Sequence, residues 1–470
     1  MRVEISNVIK IRGAPYEIKD PLIKDLTIEN PKYLEAAAQG RSTKGIPRFI
    51  HNFNYIYGGI AIPRGCRTKL LGLIESNNLN NVQIEDKRTL FERMEIPAPT
   101  IKFRPYQLKP MIDLVRNDEG LLVAPPGSGK TVMGISIVPI LGQPCLWLTH
   151  TDRLAKQAHS RVKFFLPTLK DEDIGRIGGG KWKIGKVFTI GMIQTIVRRL
   201  SLLDSIKDRF GIVILDEAHH CPASTFLKVV TRLNPFFLYA LTATPYRRDG
   251  LEVIMFQTVG PANAVISIEE VAKHGGIVIP IVKYRTVRSK RIEDNNTQRI
   301  IREHLIYNKS RNMLIVSDVV REARLGNYCI VISDRRAHCE VLHELISIGW
   351  PRTGIATGKY SREEVDEQVK KFYDNEITVL VTTFDLLGEG FDVDFLNRAF
   401  VTLPFRAEGK VEQLIGRIQR SADGKMDAIV YDYVDVDIGV FKDQFHNKYN
   451  FSRSRAYKRL GVKVIEPADE

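Results

Sequence analysis

From Phe103 onward, short apolar runs alternate with longer stretches of helical character. "GLLVAP" (120–125), "CLWLTH" (145–150), "KVFTIG" (186–191), "IVILDE" (212–217) and "YALTAT" (239–244) are the first set. Each has the length of a strand and is apolar on both faces, as strands of a parallel sheet covered on both sides are. After a break the pattern returns in "YCIVIS" (328–333), "TGIAT" (353–357), "TVLVTT" (378–383), "RAFVTL" (398–403) and "AIVYDY" (428–433). Two α/β domains in tandem are predicted, alike in architecture and without an obvious sequence repeat.

Residues 1 to 100 read differently. Mixed short elements are separated by turn signals such as "NPKYLEAAAQG", "IYGGIAIPRGC" and "ESNNLNN". A small α+β accessory domain is predicted there. "IPAPT" (96–100) reads as a linker, because its two prolines disfavour helix. The predicted division is 1–100 for the accessory domain, 101–262 for the first α/β domain and 263–310 for an interdomain connection. The second α/β domain follows at 311–440, and a basic tail at 441–470. "DNNTQ" (294–298) reads as a polar loop before a helix at about 298–323.

Composition narrows the class. Of 470 residues, 44% are hydrophobic and 26% charged, which suits a globular chain with real cores. No run of about 18 apolar residues exists, so no membrane span is expected. "MRVEISNVIKIRG" lacks the apolar core of a signal peptide. The cysteines, Cys66, Cys145, Cys221, Cys329 and Cys339, form no CxxC pair. They read as reduced, without a zinc site, in a cytoplasmic setting. Net charge is +14, with a pI near 9.4. Such an excess fits a polyanionic partner, nucleic acid above all, and equally a basic surface that only confers solubility.

The first candidate chemistry is "APPGSGKT" (124–131), directly after an apolar strand and before "VMGISIV". This is P-loop spacing with Ala124 in place of the first glycine. Pro126, Gly127, Ser128 and Gly129 form the turn, and the two glycines let backbone N–H groups point inward around a phosphate. Lys130 is placed to reach the β- and γ-phosphates of ATP, and the Thr131 hydroxyl to bind Mg²⁺. "LDEAHH" (215–220) comes 86 residues later (216 − 130), at the end of another strand. Strand ends of such a sheet lie side by side, so Asp216 is predicted to hold the Mg²⁺ and Glu217 to polarise the attacking water. Upstream, in "FRPYQLKP" (103–110), Gln107 can read adenine, and either Arg104 or Tyr106 can stack on it.

"APPGSGKT", "LDEAHH", "LTATPYR", "VTTFDLLGEGFDV" and "QLIGRIQR" follow one another in the order seen in superfamily 2 helicases, and the chain resembles them over about residues 100–435. With "NPKYLEAAAQGRSTKGIPRFI…GGIAIPRG" it is also similar to DEAH-type DNA helicases of T4-like phages, and most of all T5-like phages, which act on branched DNA. The resemblance implies two RecA-like domains, ATP and Mg²⁺ as cofactors, DNA as partner, and a monomer. It implies a DNA helicase that unwinds or branch-migrates forks and junctions in replication, recombination or repair. A double-stranded DNA translocase and an RNA helicase are the alternatives.

In "VEQLIGRIQR" (411–420) the spacing sets Gln413, Arg417 and Arg420 on one helix face, with no acid among positions 413–420 to pair with them. The resemblance gives this face a target. Arg420 is the arginine finger for the γ-phosphate, Arg417 its partner, and Gln413 contacts the water or phosphate side. The same resemblance has Gly388 and Gly390 approach the nucleotide, Asp392 hold its ribose or an arginine, and His219 link the ATP site to "TAT" (242–244).

For nucleic acid, strand-end polar groups are the candidates: Thr149, Arg153, Thr189, Gln194 and Thr195, and in the second domain Arg335, Thr382 and Thr383. "IGGGKWKIGK" (177–186) reads as a hairpin. Trp182 either stacks on a base at a junction or packs on the protein. Arg406 and Lys410 face DNA or solvent. In the accessory domain Lys44, Arg48, Arg64, Arg67 and Lys69 are expected to contact duplex DNA, or else the domain serves to brace its neighbour.

Overall fold

The computed structural model describes all residues except 219–222, 244–250, 289–295, 389–392, 406–407, 448–451 and 466–470. His219, Gly390, Asp392 and Arg406 lie outside the described residues. The chain divides into two compact units, Met1–Glu270 and Val271–Glu470.

The first unit holds two main sheets. At its front, strands run in the spatial order Asn54–Ile56, Gly59–Pro63, Val8–Arg12, Arg2–Ile5, Gln83–Asp86. Val3, Ile9, Ile11, Ile60 and Ile62 alternate along these strands and bury one face against Ile18, Leu22 and Leu70 of two helices. The larger sheet has eight strands, ordered Lys181–Lys183, Ile174–Gly178, Phe188–Met192, Cys145–Thr149, Ile212–Asp216, Phe237–Thr242, Glu119–Val123, Ala264–Val265. All pairs are parallel except the hairpin at one edge. Its central strands are buried throughout, which explains their unbroken apolar runs.

Of the front domain's candidate DNA contacts, Arg64 and Arg67 are engaged inside the protein instead. Arg64 is 2% exposed. Its guanidinium donates to the Glu119 carboxylate at 3.1 Å and to the carbonyls of Pro235 and Phe236 at 2.6 and 2.9 Å. Arg67 also pairs with Glu119, at 3.2 Å. Both cations are spent bracing the front sheet on the P-loop strand. Gly65 sits in the same seam, where an added Cβ would meet the Gly260 backbone nitrogen at 2.4 Å. Lys44 and Arg48 remain exposed, Arg48 in a surface pair with Glu29, and Lys69 pairs with Asp25 at 2.8 Å. Arg64→Ala is expected to destabilise the protein by about 3 kcal/mol, because Glu119 keeps only Arg67, the Pro235 carbonyl loses its donor and the Phe236 carbonyl keeps only Arg88. Thermal melting checks this; an unchanged transition would show that the seam contributes nothing.

The second unit is built on seven strands, ordered Thr353–Ala356, Val379–Thr382, Cys329–Ile332, Arg398–Val401, Ile429–Asp435, Ile281–Val287, Lys463–Ile465. Every pair is parallel. Two expectations are corrected here. The segment 263–310 is not a plain connection, since Ile281–Val287 pairs along all seven residues with Ile429–Asp435. Its lysines and arginines mask a strand in which Ile281, Val282, Tyr284 and Val287 are the apolar residues. Nor is 441–470 simply a basic tail. Lys463–Ile465 adds a strand to the sheet, and Arg453 is wholly buried against Asp432, with two bonds of 2.8 Å. The helix expected at 298–323 is interrupted: Thr297–Ile300 runs into a π-helical turn, and Asn308 then caps a new helix, Lys309–Arg324.

Candidate active site

The strand Glu119–Val123 delivers the chain into the P-loop, and Gly129 then caps the helix Lys130–Leu141. Gly127 and Gly129 have φ of 83° and 87°, conformations a side chain would strain. Two side chains from the helix Pro105–Val115 hold the turn from behind. Tyr106 Oη and Gln107 Nε2 both donate to the Ser128 carbonyl, at 3.2 and 2.9 Å. Gln107 Oε1 accepts from the Arg104 backbone nitrogen at 2.9 Å. Tyr106 is therefore core, and Gln107 is tied into the loop while lying beside it. Arg104 is half-buried at the start of this helix.

Asp216 ends the strand Ile212–Asp216, one strand away from the P-loop strand. Glu217 follows with φ of 49°, left-handed backbone that a residue with a side chain adopts only at some cost. The Lys130 ammonium lies 3.8 Å from the Glu217 carboxylate and donates to the Ala124 carbonyl at 3.0 Å. Lys130, Asp216 and Glu217 thus meet at one sheet edge, with Thr131 in the first turn of the adjoining helix.

These residues fit ATP and Mg²⁺. Lys130 is 7% exposed and leans on backbone carbonyls, which an anion would replace as its partner. The Ser128 hydroxyl is buried with no hydrogen-bond partner among the described residues, inside a turn shaped for phosphate. Burial and the neighbouring Glu217 charge push the Asp216 carboxyl up to about 7, against the pull of Lys130 and Arg161. A divalent cation would reverse that balance and ionise it. Thr131 and Asp216 are the residues that would hold the metal.

In the second unit, Gln413 and Arg417 lie on the helix Glu408–Ile418, whose Val411, Leu414, Ile415 and Ile418 are buried. Gln413 is exposed and Arg417 half-buried. The expectation of a single helical face is corrected at Arg420. The helix ends at Ile418, and Arg420 lies beyond it, bridged to Ile277. It is also not without an acidic neighbour: its guanidinium donates to Asp394 at 3.2 Å. Asp394, and Lys425 behind it, carry no sequence signal; they belong to loops, and only the fold brings them to Arg420.

The nucleic-acid candidates divide. Thr149 ends its strand buried, and its hydroxyl donates to Thr151. Arg153 and Thr195 are half-buried on helices next to strand ends, and Arg335 is exposed, donating to Gln298. Gln194 lies in the short helix Ile193–Val197, its buried Oε1 without a hydrogen-bond partner among the described residues. Thr189 is corrected: it lies fully buried within its strand, and its hydroxyl accepts from the Gly185 N–H. Thr382 is corrected likewise, since its hydroxyl donates to the Ala356 carbonyl at 2.7 Å. The 177–186 hairpin is an edge strand pair rather than a protrusion, and Trp182 is partly buried, packing over the core that includes Ile177. Lys410 is half-buried and pairs with Asp334 at 2.5 Å. Cys66, Cys145, Cys329 and Cys339 are free and buried.

Comparison with known proteins accords with this geometry. Residues 79–247 match the family "Type III restriction enzyme, res subunit", and residues 311–422 match "Helicase conserved C-terminal domain". A candidate ATP-dependent RNA helicase of Acanthamoeba polyphaga mimivirus is 26% identical over 94% of this chain and 83% of its own length. A candidate helicase of Escherichia phage T5 is 24% identical, over 77% of this chain and 78% of its own length. In fold the chain is similar to an ATP-dependent type ISP restriction-modification enzyme bound to DNA, with a TM-score of 0.56 and 13% identity, over 82% of this chain and 34% of that one. The chain belongs to the superfamily 2 helicases: it has two tandem RecA-like domains and is an ATP-hydrolysing enzyme. No helix among the described residues is long and apolar enough to cross a membrane.

Proposed function

We propose that the chain is an ATP-driven DNA helicase that translocates on DNA and unwinds or branch-migrates forks and junctions in replication, recombination or repair. The meeting of Lys130, Asp216 and Glu217 at one sheet edge carries the ATP half of this reading. Lys130 and the P-loop backbone grip the phosphates, Thr131 and Asp216 hold Mg²⁺, and Glu217 orients the attacking water. Arg420, with Arg417 and Gln413, is assigned to stabilising charge on the transferring phosphoryl group. ATP-dependent closure and reopening of two such domains becomes movement when each also grips a strand. The excess of +14 favours a polyanionic track. The similarity to a phage helicase and to a DNA-bound restriction enzyme supports DNA as that track. A monomer acting in the cytoplasm of a host cell is the simplest setting.

An RNA track is the second reading. The relative described as a candidate RNA helicase favours it, and the burial of Arg64 with the pairing of Arg67 to Asp118 and Glu119 removes part of the basic surface that argued for duplex DNA. The test is a panel of forked, four-way, duplex and single-stranded DNAs beside matching RNAs, each scored for stimulation of ATP hydrolysis. Branched DNA is expected to stimulate most. Equal or greater stimulation by RNA would transfer the reading to RNA, and stimulation by plain duplex alone would favour a double-stranded DNA translocase.

A further inference from the structure

The segment carrying Arg420 leaves the helix Glu408–Ile418 and turns through residues 421–425, with Gly424 at φ of 78°. The Lys425 ammonium folds back under this turn. It donates to the carbonyls of Ile418 and Arg420, both at 2.6 Å, and to that of Asp394 at 3.1 Å. All three of its N–H donors are thereby spent on backbone. Two of the carbonyls flank the start and end of the step from the helix to Arg420. The third belongs to the residue whose carboxylate holds the Arg420 guanidinium. On the other side, the Val278 N–H donates to the Gln419 carbonyl at 2.7 Å, and Ser421 Oγ to the Gly276 carbonyl at 3.1 Å. The backbone that aims Arg420 is thus gripped from both sides, and on one side by a single cation.

From this geometry we infer that Lys425 is a positioning residue for ATP hydrolysis: it sets the backbone from which Arg420 reaches and couples that backbone to the 394 loop. The inference rests on the reading of Arg420 as the arginine that serves the γ-phosphate. Lys425 touches no substrate. Its loss leaves the guanidinium in place but lets it wander, and misplacement of a charge-stabilising group by about 1 Å costs up to ~10²-fold in rate. The charged groups facing it are Asp394, Arg420 and Asp427. Burial, with Arg420 nearby, lowers its pKa to about 8. Below that value it keeps three donors; above it, the neutral amine keeps two and the clamp loosens. The same titration does not unfold the protein. Between about 8 and the ordinary lysine value the unfolded chain binds the extra proton, so this group makes folding more favourable as pH rises.

The experiment is a double-mutant cycle on DNA-stimulated ATP hydrolysis, with K425M, R420A and the pair, and a pH profile from 7 to 10 for wild type and K425R. K425M is expected to lower kcat by about 10–100-fold with little change in the KM for ATP, and to cost nothing further in the R420A background. Wild type is expected to lose activity above about pH 8, and K425R, which stays charged, to keep it. Near-wild-type hydrolysis by R420A would overturn the reading of Arg420, and the role of Lys425 with it. An active K425M beside an inactive R420A would overturn the role of Lys425 alone. So would a K425M penalty of equal size in both backgrounds, which would mark a fold defect. If K425M does not fold, an identical alkaline limb in wild type and K425R overturns the inference by itself.

Discussion

Replacing Glu217 by glutamine lowers the rate of ATP hydrolysis by about 10²–10⁴-fold and leaves ATP binding within a few-fold of wild type. The side chain keeps its shape, its hydrogen-bonding oxygen and its left-handed backbone, so the site is expected to stay assembled. What is lost is the carboxylate charge that polarises water. The second consequence concerns Asp216. Glu217 is one of the two causes that push Asp216 up to about 7, so neutralising it eases ionisation of the metal-binding carboxylate. Mg²⁺ and ATP affinity are therefore retained or slightly raised. Single-turnover hydrolysis beside fluorescent-nucleotide titration separates the two effects. A variant that hydrolyses at the wild-type rate would remove Glu217 from the mechanism.

Arg420→Ala is the other large effect, expected at about 10³–10⁵-fold in kcat. In the structure Arg420 rests on Asp394, a partner 60% exposed, in an ion pair that is weak by its setting and readily exchanged for phosphate. Its contribution falls on the charge that develops during phosphoryl transfer rather than on ground-state binding, so ATP affinity is expected to hold. Lys130→Ala contrasts with it. That ammonium is buried within the P-loop itself, and its loss is expected to weaken ATP binding and hydrolysis together. Nucleotide titration of both variants decides the matter. Equal loss of affinity would mean that Arg420 serves binding, not the transition state.

The sheets were legible because their central strands are buried on both faces and therefore written as unbroken apolar runs, as in Ile212–Asp216 and Cys329–Ile332. Ile281–Val287 was not, since Lys283, Arg285 and Thr286 interrupt its apolar residues and read as a charged connection. Lys463–Ile465 was hidden for a similar reason, being a short strand at the sheet edge after a basic helix. The P-loop and the Asp216–Glu217 pair could be read because phosphate and metal chemistry fixes both residue type and spacing. Thr189 and Thr382 could not be judged from position alone: a threonine near a strand end serves backbone or phosphate equally well, and here both hydroxyls are taken by backbone groups. Arg64 was misread by charge, since a cation's sign says nothing about burial, and Glu119, 55 residues away, is what buries it. Arg420 fell between the two cases. Helical spacing grouped it with Gln413 and Arg417, but the helix stops two residues earlier, where Lys425 takes over the cap.

Strand displacement from a forked DNA, followed with ATP and Mg²⁺ for wild type and Lys130→Ala, joins the ATP site to the proposed work. Wild type is expected to release the strand only with hydrolysable ATP, and Lys130→Ala to release none. ATP hydrolysis that DNA stimulates, with no strand released from any fork or four-way junction, would contradict the helicase reading and leave a motor that tracks along DNA without opening it.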